Sequence, residues 1–142
     1  MKAFLVAIAL AASISFGVFA QKPRAVTAAE ANGTYRSRNN EIRILALGGG
    51  KLKVKFDLSH VYGPAESGMV NTGEATGEAT IENNVAIFST ADSPKCKITM
   101  TFLPSNKLKV VQQGSDSDCG FGQNVTADGT YRKIDGRKPT FD

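Results

Sequence analysis

The sequence predicts an all-β domain: a small eight-stranded antiparallel barrel, or a sandwich made by flattening one, closed by a single disulfide. Three observations carry this reading. Apolar residues recur at every second position, turn-forming residues punctuate the runs, and the chain holds just two cysteines behind an export signal.

The signal comes first. Lys2 precedes an uncharged apolar run from Ala3 to Phe19, and Val18 and Ala20 stand three and one positions before a cut ahead of Gln21. Residues 1–20 are therefore expected to be removed on export, to the periplasm or the medium. The run lies near the lower limit for crossing about 30 Å of hydrocarbon, so an uncleaved anchor is the lesser alternative. No cysteine follows the cut, which argues against a lipid anchor, and nothing after Gln21 is long and apolar enough to span a membrane. Residues 21–32 are polar and Ala-rich, and read as a flexible lead-in holding at most a short helix.

The barrel is expected over residues 33–134, with 135–142 as a tail. Alternation is clearest in Lys51 to Leu58, where Leu52, Val54, Phe56 and Leu58 share one face and Lys51, Lys53, Lys55 and Asp57 the other. Cys96 to Leu103 repeats it, with Cys96, Ile98, Met100 and Phe102 facing inward. Links rich in turn formers stand at Asn39-Asn40, Gly48-Gly49-Gly50, Asn83-Asn84 and Pro104-Ser105-Asn106. They delimit eight strands, at 33–37, 41–47, 51–58, 73–82, 85–90, 96–103, 107–113 and 129–133. Helical periodicity of comparable strength is absent.

Closing the sheet removes its free edges. Gly33-Thr34-Tyr35-Arg36 recurs as Gly129-Thr130-Tyr131-Arg132 in the first and last strands, the two that meet on closure, and Lys51-Leu52-Lys53-Val54 recurs as Lys107-Leu108-Lys109-Val110. A membrane barrel is excluded by the charged outer face, the missing Trp and the lack of an aromatic girdle.

Composition narrows function. The net charge of +4, which loses one more unit with Lys2, is too small for a nucleic-acid face. With an even cysteine count in an exported chain, Cys96 and Cys119 are expected to pair, pinning the loop 114–124 to the base of the 96–113 hairpin. A metal is not expected, because His60 is the single histidine and an Asp-x-Asp without a downstream Glu supplies too few oxygens for calcium. No cofactor is implied.

Several candidate sites remain, each with a plain structural alternative. Asp116, Asp118 and Phe121 could form a rigid epitope for a protein partner, or Phe121 could be a plug that packs onto the barrel mouth. His60 is the obvious general base, yet Ser59 and His60 fall on opposite faces of an extended strand, so no triad assembles and no enzyme is expected. Inward-facing Ala75, Gly77 and Ala79 could leave space for a small apolar ligand, or Phe56, Phe88 and Phe102 could fill it. Arg43, Lys51, Lys53, Lys55, Lys107 and Lys109 form a basic stripe that keeps the wall solvated or meets an acidic partner. Asn32-Gly33-Thr34 and Asn124-Val125-Thr126 match the glycosylation sequon.

At CKITMTF, then LKVVQ, then DCGFGQNVTADGTYRK, the chain resembles a group of small exported bacterial domains that end in a Cys-Gly-x-Gly, Val, Gly-x-Tyr signature. In size, disulfide and β pattern it is also similar, more distantly, to periplasmic lysozyme inhibitors of the C-type family. That resemblance implies an eight-stranded barrel and a loop, bearing Ser-Gly and a Tyr, that enters the enzyme cleft. The nearest residues are Ser67-Gly68 and Tyr62, in a different order from the family's. Together these readings predict a non-enzymatic exported binding domain, with an interior carrier as the alternative.

Overall fold

The computed structural model describes residues 24–142, so the expected signal lies outside the described residues. Eight antiparallel strands form a closed barrel in chain order: β1 (Gly33–Ser37), β2 (Asn40–Gly48), β3 (Lys51–Tyr62), β4 (Met69–Glu82), β5 (Val85–Thr90), β6 (Ser93–Leu103), β7 (Lys107–Gln113) and β8 (Gly129–Asp135). β1 closes the sheet on β8, with Arg36 opposite Arg132.

The alternation does what it predicts. Ile42, Ile44, Leu52, Val54, Phe56, Phe88, Ile98, Met100, Leu108 and Val110 are buried inside the barrel, while the intervening residues face out. The turns follow their chemistry too: all three glycines of the β2–β3 link and Asn83, Ser105 and Asn106 take positive φ. One turn shifts. The β1–β2 link is centred on Arg38 and Asn39, because Asn40 is already paired with Ser37 and its Oδ1 accepts from the Ser59 amide at 2.8 Å.

Both ends of the barrel are plugged, and by the same device. The lead-in carries one turn of helix, α1 (Ala28–Ala31), held by a capping box between Thr27 and Glu30. Its Ala31 is buried beneath the barrel, and the Tyr35 hydroxyl donates to the Ala31 carbonyl at 3.0 Å. At the opposite end, Ala127 is buried and the Tyr131 hydroxyl donates to the Ala127 carbonyl, also at 3.0 Å. Asn32 Oδ1 accepts from the Ala46 amide of β2, and Asp128 Oδ1 from the Gln112 amide of β7, each at 2.6 Å. The echo thus extends over six residues, Ala-Asn-Gly-Thr-Tyr-Arg and Ala-Asp-Gly-Thr-Tyr-Arg. Each copy fills one barrel end, caps the neighbouring strand and ties its tyrosine back four residues, as in a tyrosine corner. The Arg36–Arg132 pair marks the local twofold that relates them. Asn32, spent in this way and buried, is unavailable as a sequon.

Burial pushes the Tyr35 and Tyr131 hydroxyls up, Tyr131 to about 12 from an ordinary value of 10.0. Because the folded value is the higher one, the stability these neutral phenols supply is complete below about pH 10 and is lost as the pH rises through about 12. Tyr35→Phe and Tyr131→Phe should each lower the unfolding free energy by about 1 kcal/mol, the net worth of one buried hydrogen bond. Urea denaturation at pH 7 and pH 11 checks both points, the variants showing a smaller alkaline loss than the parent.

Candidate functional site

β3 pairs with β4 along its whole length, from Lys51 opposite Thr80 to Tyr62 opposite Met69, whereas β2 leaves β3 at Asp57 and β5 pairs with β4 only from Ala79 to Glu82. The upper part of this hairpin therefore overhangs the barrel. Its tip turns through Gly63 and Gly68, both at positive φ, around a 3₁₀ turn (Ala65–Ser67). Ser67 fixes that turn: its amide and its hydroxyl both donate to the Pro64 carbonyl, at 2.9 and 2.7 Å.

On this overhang stand Val61 opposite Val70 and Tyr62 opposite Met69, all four between 40% and 50% exposed. Successive residues of a strand point to opposite faces, so both faces of the ribbon are apolar. The other exposed large apolar residues of the described chain, Leu47, Ile87, Leu103, Val111 and Ile134, lie apart on other strands. The structure thus puts Tyr62 and Ser67 on one element and adds Val61, Met69 and Val70, which the sequence reading left out. The available signal was the loss of alternation after Ser59, where His60-Val61-Tyr62 and Met69-Val70 cannot bury one face and wet the other.

Of the two readings of the loop, Phe121 takes that of a packed plug, and Asp116 and Asp118 turn into the loop itself. Asp118 Oδ2 accepts from the Ser115 amide and hydroxyl at 2.9 and 2.8 Å, and Asp116 accepts from the Asn124 amide at 2.6 Å and the Ser117 amide at 2.7 Å. The bond from the Ser115 amide holds the Asp118 carboxyl below its usual value. Both carboxylates therefore shape their own loop. Phe121 is buried and packs against Gly73 so closely that a Cβ there would fall 2.8 Å from its side chain. The loop then runs beside β4, with the Gly122 amide donating to the Thr72 carbonyl at 3.0 Å and Asn71 Nδ2 to the Gln123 carbonyl at 2.8 Å. It covers the edge that β5 leaves bare, and the Cys96–Cys119 disulfide anchors it to β6.

Aromatic and aliphatic side chains of the neighbouring strands face the positions where an apolar ligand was considered. Ala75, Gly77 and Ala79 stand opposite Phe56, Val54 and Leu52. The Phe88 ring lies 3.0 Å from where a Gly77 Cβ would be, in edge-to-face contact with Phe56 at 5.0 Å. At Gly77 the small residue of β4 admits an aromatic ring from its neighbour, the filled-interior alternative of the two the sequence offered.

His60 faces a polar cleft of about 570 Å³ at the rim, shared with Arg38, Asn39, Thr126 and Asp128. Its acid is engaged in the fold: Asp128 accepts from the Gln112 amide at 2.6 Å and from Thr126 Oγ1 at 3.0 Å. Ser59 and His60 sit at successive positions of β3, opposite Thr72 and Asn71, and do not converge. Among the described residues no group of three or more His, Cys, Asp or Glu side chains gathers as metal ligands, and no helix is long and apolar enough to cross a membrane.

The basic stripe divides in two. Arg43 pairs with Asp57 at 2.7 Å, Lys55 with Asp57 and Lys51 with Glu78 at 3.4 Å. The C-terminal residues lie over this part of the wall, Arg43 donating to the Thr140 carbonyl at 3.0 Å and Lys53 resting over the Phe141 ring at 4.7 Å. Lys107 and Lys109 belong instead to the opposite wall, where Lys107 faces Arg132 and Arg132 faces Arg36.

Compared with family models, with curated proteins and with solved structures, the chain matches none.

Replacing Cys96 and Cys119 together by Ala should reduce the unfolding free energy by roughly 3 kcal/mol, from the freed entropy of a loop of this length. Urea denaturation measures the loss. Hydrogen exchange should show the Phe121 and Gly122 amides opening before those of β6 and β7.

Proposed function

We propose that this chain is an exported, non-enzymatic binding domain that presents the β3–β4 hairpin tip to a protein partner, a lysozyme-type hydrolase being the class that the resemblance suggests. The observation that carries the reading is the apolar ribbon of Val61, Tyr62, Met69 and Val70, held out beyond the barrel. Leaving these side chains in water forfeits the gain of burying them, roughly 25 cal/mol per Å² of apolar surface, which a partner would recover.

The ribbon suits insertion into a cleft. It is two strands wide, its turn is fixed by the Ser67–Pro64 bonds, and its root is clamped by the disulfide-anchored loop through Gly122 and Asn71. Little conformational freedom is left to lose on association. Tyr62 offers a large ring with a polar end, the kind of side chain that dominates interface energetics. Ser67 and Gly68 stand in the turn and Tyr62 in the strand that leads to it, the residue types of the inhibitors' loop in a different order. Inhibition by such a ribbon needs no chemistry of its own, since an occupied cleft excludes substrate. Export is supported by the leader in the sequence and by the disulfide, a bond that persists in oxidising compartments.

The test is inhibition of a C-type lysozyme by the purified domain, together with capture of partners from envelope extract. Tyr62→Ala is expected to weaken binding by at least tenfold, and Tyr62→Ala with Val70→Thr to abolish it, while circular dichroism and the urea midpoint stay as in the parent. A domain that neither inhibits lysozyme nor captures any envelope protein overturns the proposal, as does full binding by the double variant.

A further inference from the structure

At the α1 end, far from the hairpin tip, the β4–β5 and β6–β7 turns and the residues leading into α1 surround an open cleft of about 660 Å³. That is the size of a small-molecule site. Its floor is apolar, with Val26 and the exposed Leu103 above the buried Tyr35 and Phe102 rings, which meet edge to face at 6.2 Å. Its rim is cationic, with Arg24, Lys107 and Lys133. The acid on the rim, Glu30, is committed to Arg24 and to the Thr27 amide of the capping box.

Lys133 is unusual among the lysines. Its Nζ donates to the Glu30 carbonyl and lies over the Tyr35 ring at 5.1 Å, and burial draws its pKa down against the opposing pull of the Glu30 carboxylate. The ammonium has given up water for a carbonyl and a ring face. An ammonium carries three donors, and the Glu30 carbonyl uses one. Lys107, across the mouth, is exposed and has no ion-pair partner among the described residues. A cationic rim around an apolar floor selects a ligand with the complementary division.

We propose that this cleft binds a small amphiphilic carboxylate, its head held by Lys133 and Lys107 and its hydrocarbon body lying on Leu103, Val26 and the edge of Phe102. The head meets two ammonium groups that have no carboxylate within ion-pair distance among the described residues, and the body covers the exposed Leu103 and half-buried Val26 side chains above the buried rings. A recess between turns suits a single short-chain molecule better than the plane of a bilayer. The site is independent of the hairpin tip and does not require the partner proposed there.

Titration of the ¹⁵N-labelled domain with octanoate, octan-1-ol and acetate tests it. Octanoate should shift the amides of Asn84, Phe102, Lys107 and Lys133, and the neutral alcohol and the bare head group should bind at least tenfold more weakly. Lys133→Gln and Lys107→Gln should each weaken octanoate about tenfold, in line with the loss of a charge-assisted hydrogen bond. Lys109→Gln, on the outer wall, and the hairpin variants should bind as the parent does. Octanol binding as tight as octanoate, indifference to both cleft substitutions, or co-sedimentation with phosphatidylglycerol vesicles without octanoate shifts in the cleft would each overturn the proposal. Lys107→Gln, at an exposed position, keeps the test decisive should Lys133→Gln disturb the fold.

Discussion

Closure of the sheet between β1 and β8 is the constraint on which the rest of the molecule depends, because it is made where both barrel ends are also sealed. The paired strands and the residues leading into them carry the same six-residue pattern, identical but for Asn32 against Asp128, around a local twofold at Arg36 and Arg132. In each copy the alanine fills the end, the Asn or Asp side chain supplies an acceptor that the neighbouring strand lacks, and the tyrosine hydroxyl binds the carbonyl of the plug. The glycine permits the approach. At Gly33 a Cβ would stand 2.2 Å from the Asp135 carbonyl oxygen, so no other residue fits between the closing strands.

A barrel plugged twice and packed with Phe56, Phe88 and Met100 has its chemistry on the outside. The geometry then turns on unequal strand lengths. β3 and β4 outrun their neighbours, which creates two needs: a cover for the exposed edge of β4 and a role for the overhang. The loop 114–128 meets the first by running beside Thr72 in place of a strand, with Phe121 on Gly73 and the disulfide behind it. The overhang, apolar on both faces, is the part of the surface that water solvates least well.

Charge divides the molecule along another axis. The lysines of β3 and Arg43 are met by Asp57, Glu78 and the C-terminal residues, so that wall is largely neutralised. Among the described residues Lys107 and Lys133 have no carboxylate partner, and they lie where two turns border an apolar cleft. The two barrel ends therefore offer different surfaces, an apolar ribbon at one and a cationic rim over an apolar floor at the other.

Period-two alternation and turn composition determined the strands, their inward faces and the antiparallel order, since each is a local consequence of backbone geometry. The even cysteine count, read together with the apolar leader, likewise predicted the disulfide. Tertiary structure alone decided which way Phe121, Asp116 and Asp118 point, because a loop's side chains are oriented by the surface it lands on, here the bare edge of β4. It also decided that Gly77 makes room for Phe88 and not for a ligand, and that Lys133 loses its water while Lys53 meets a ring. Those outcomes depend on contacts between residues far apart in the chain, and no spacing along one strand encodes them.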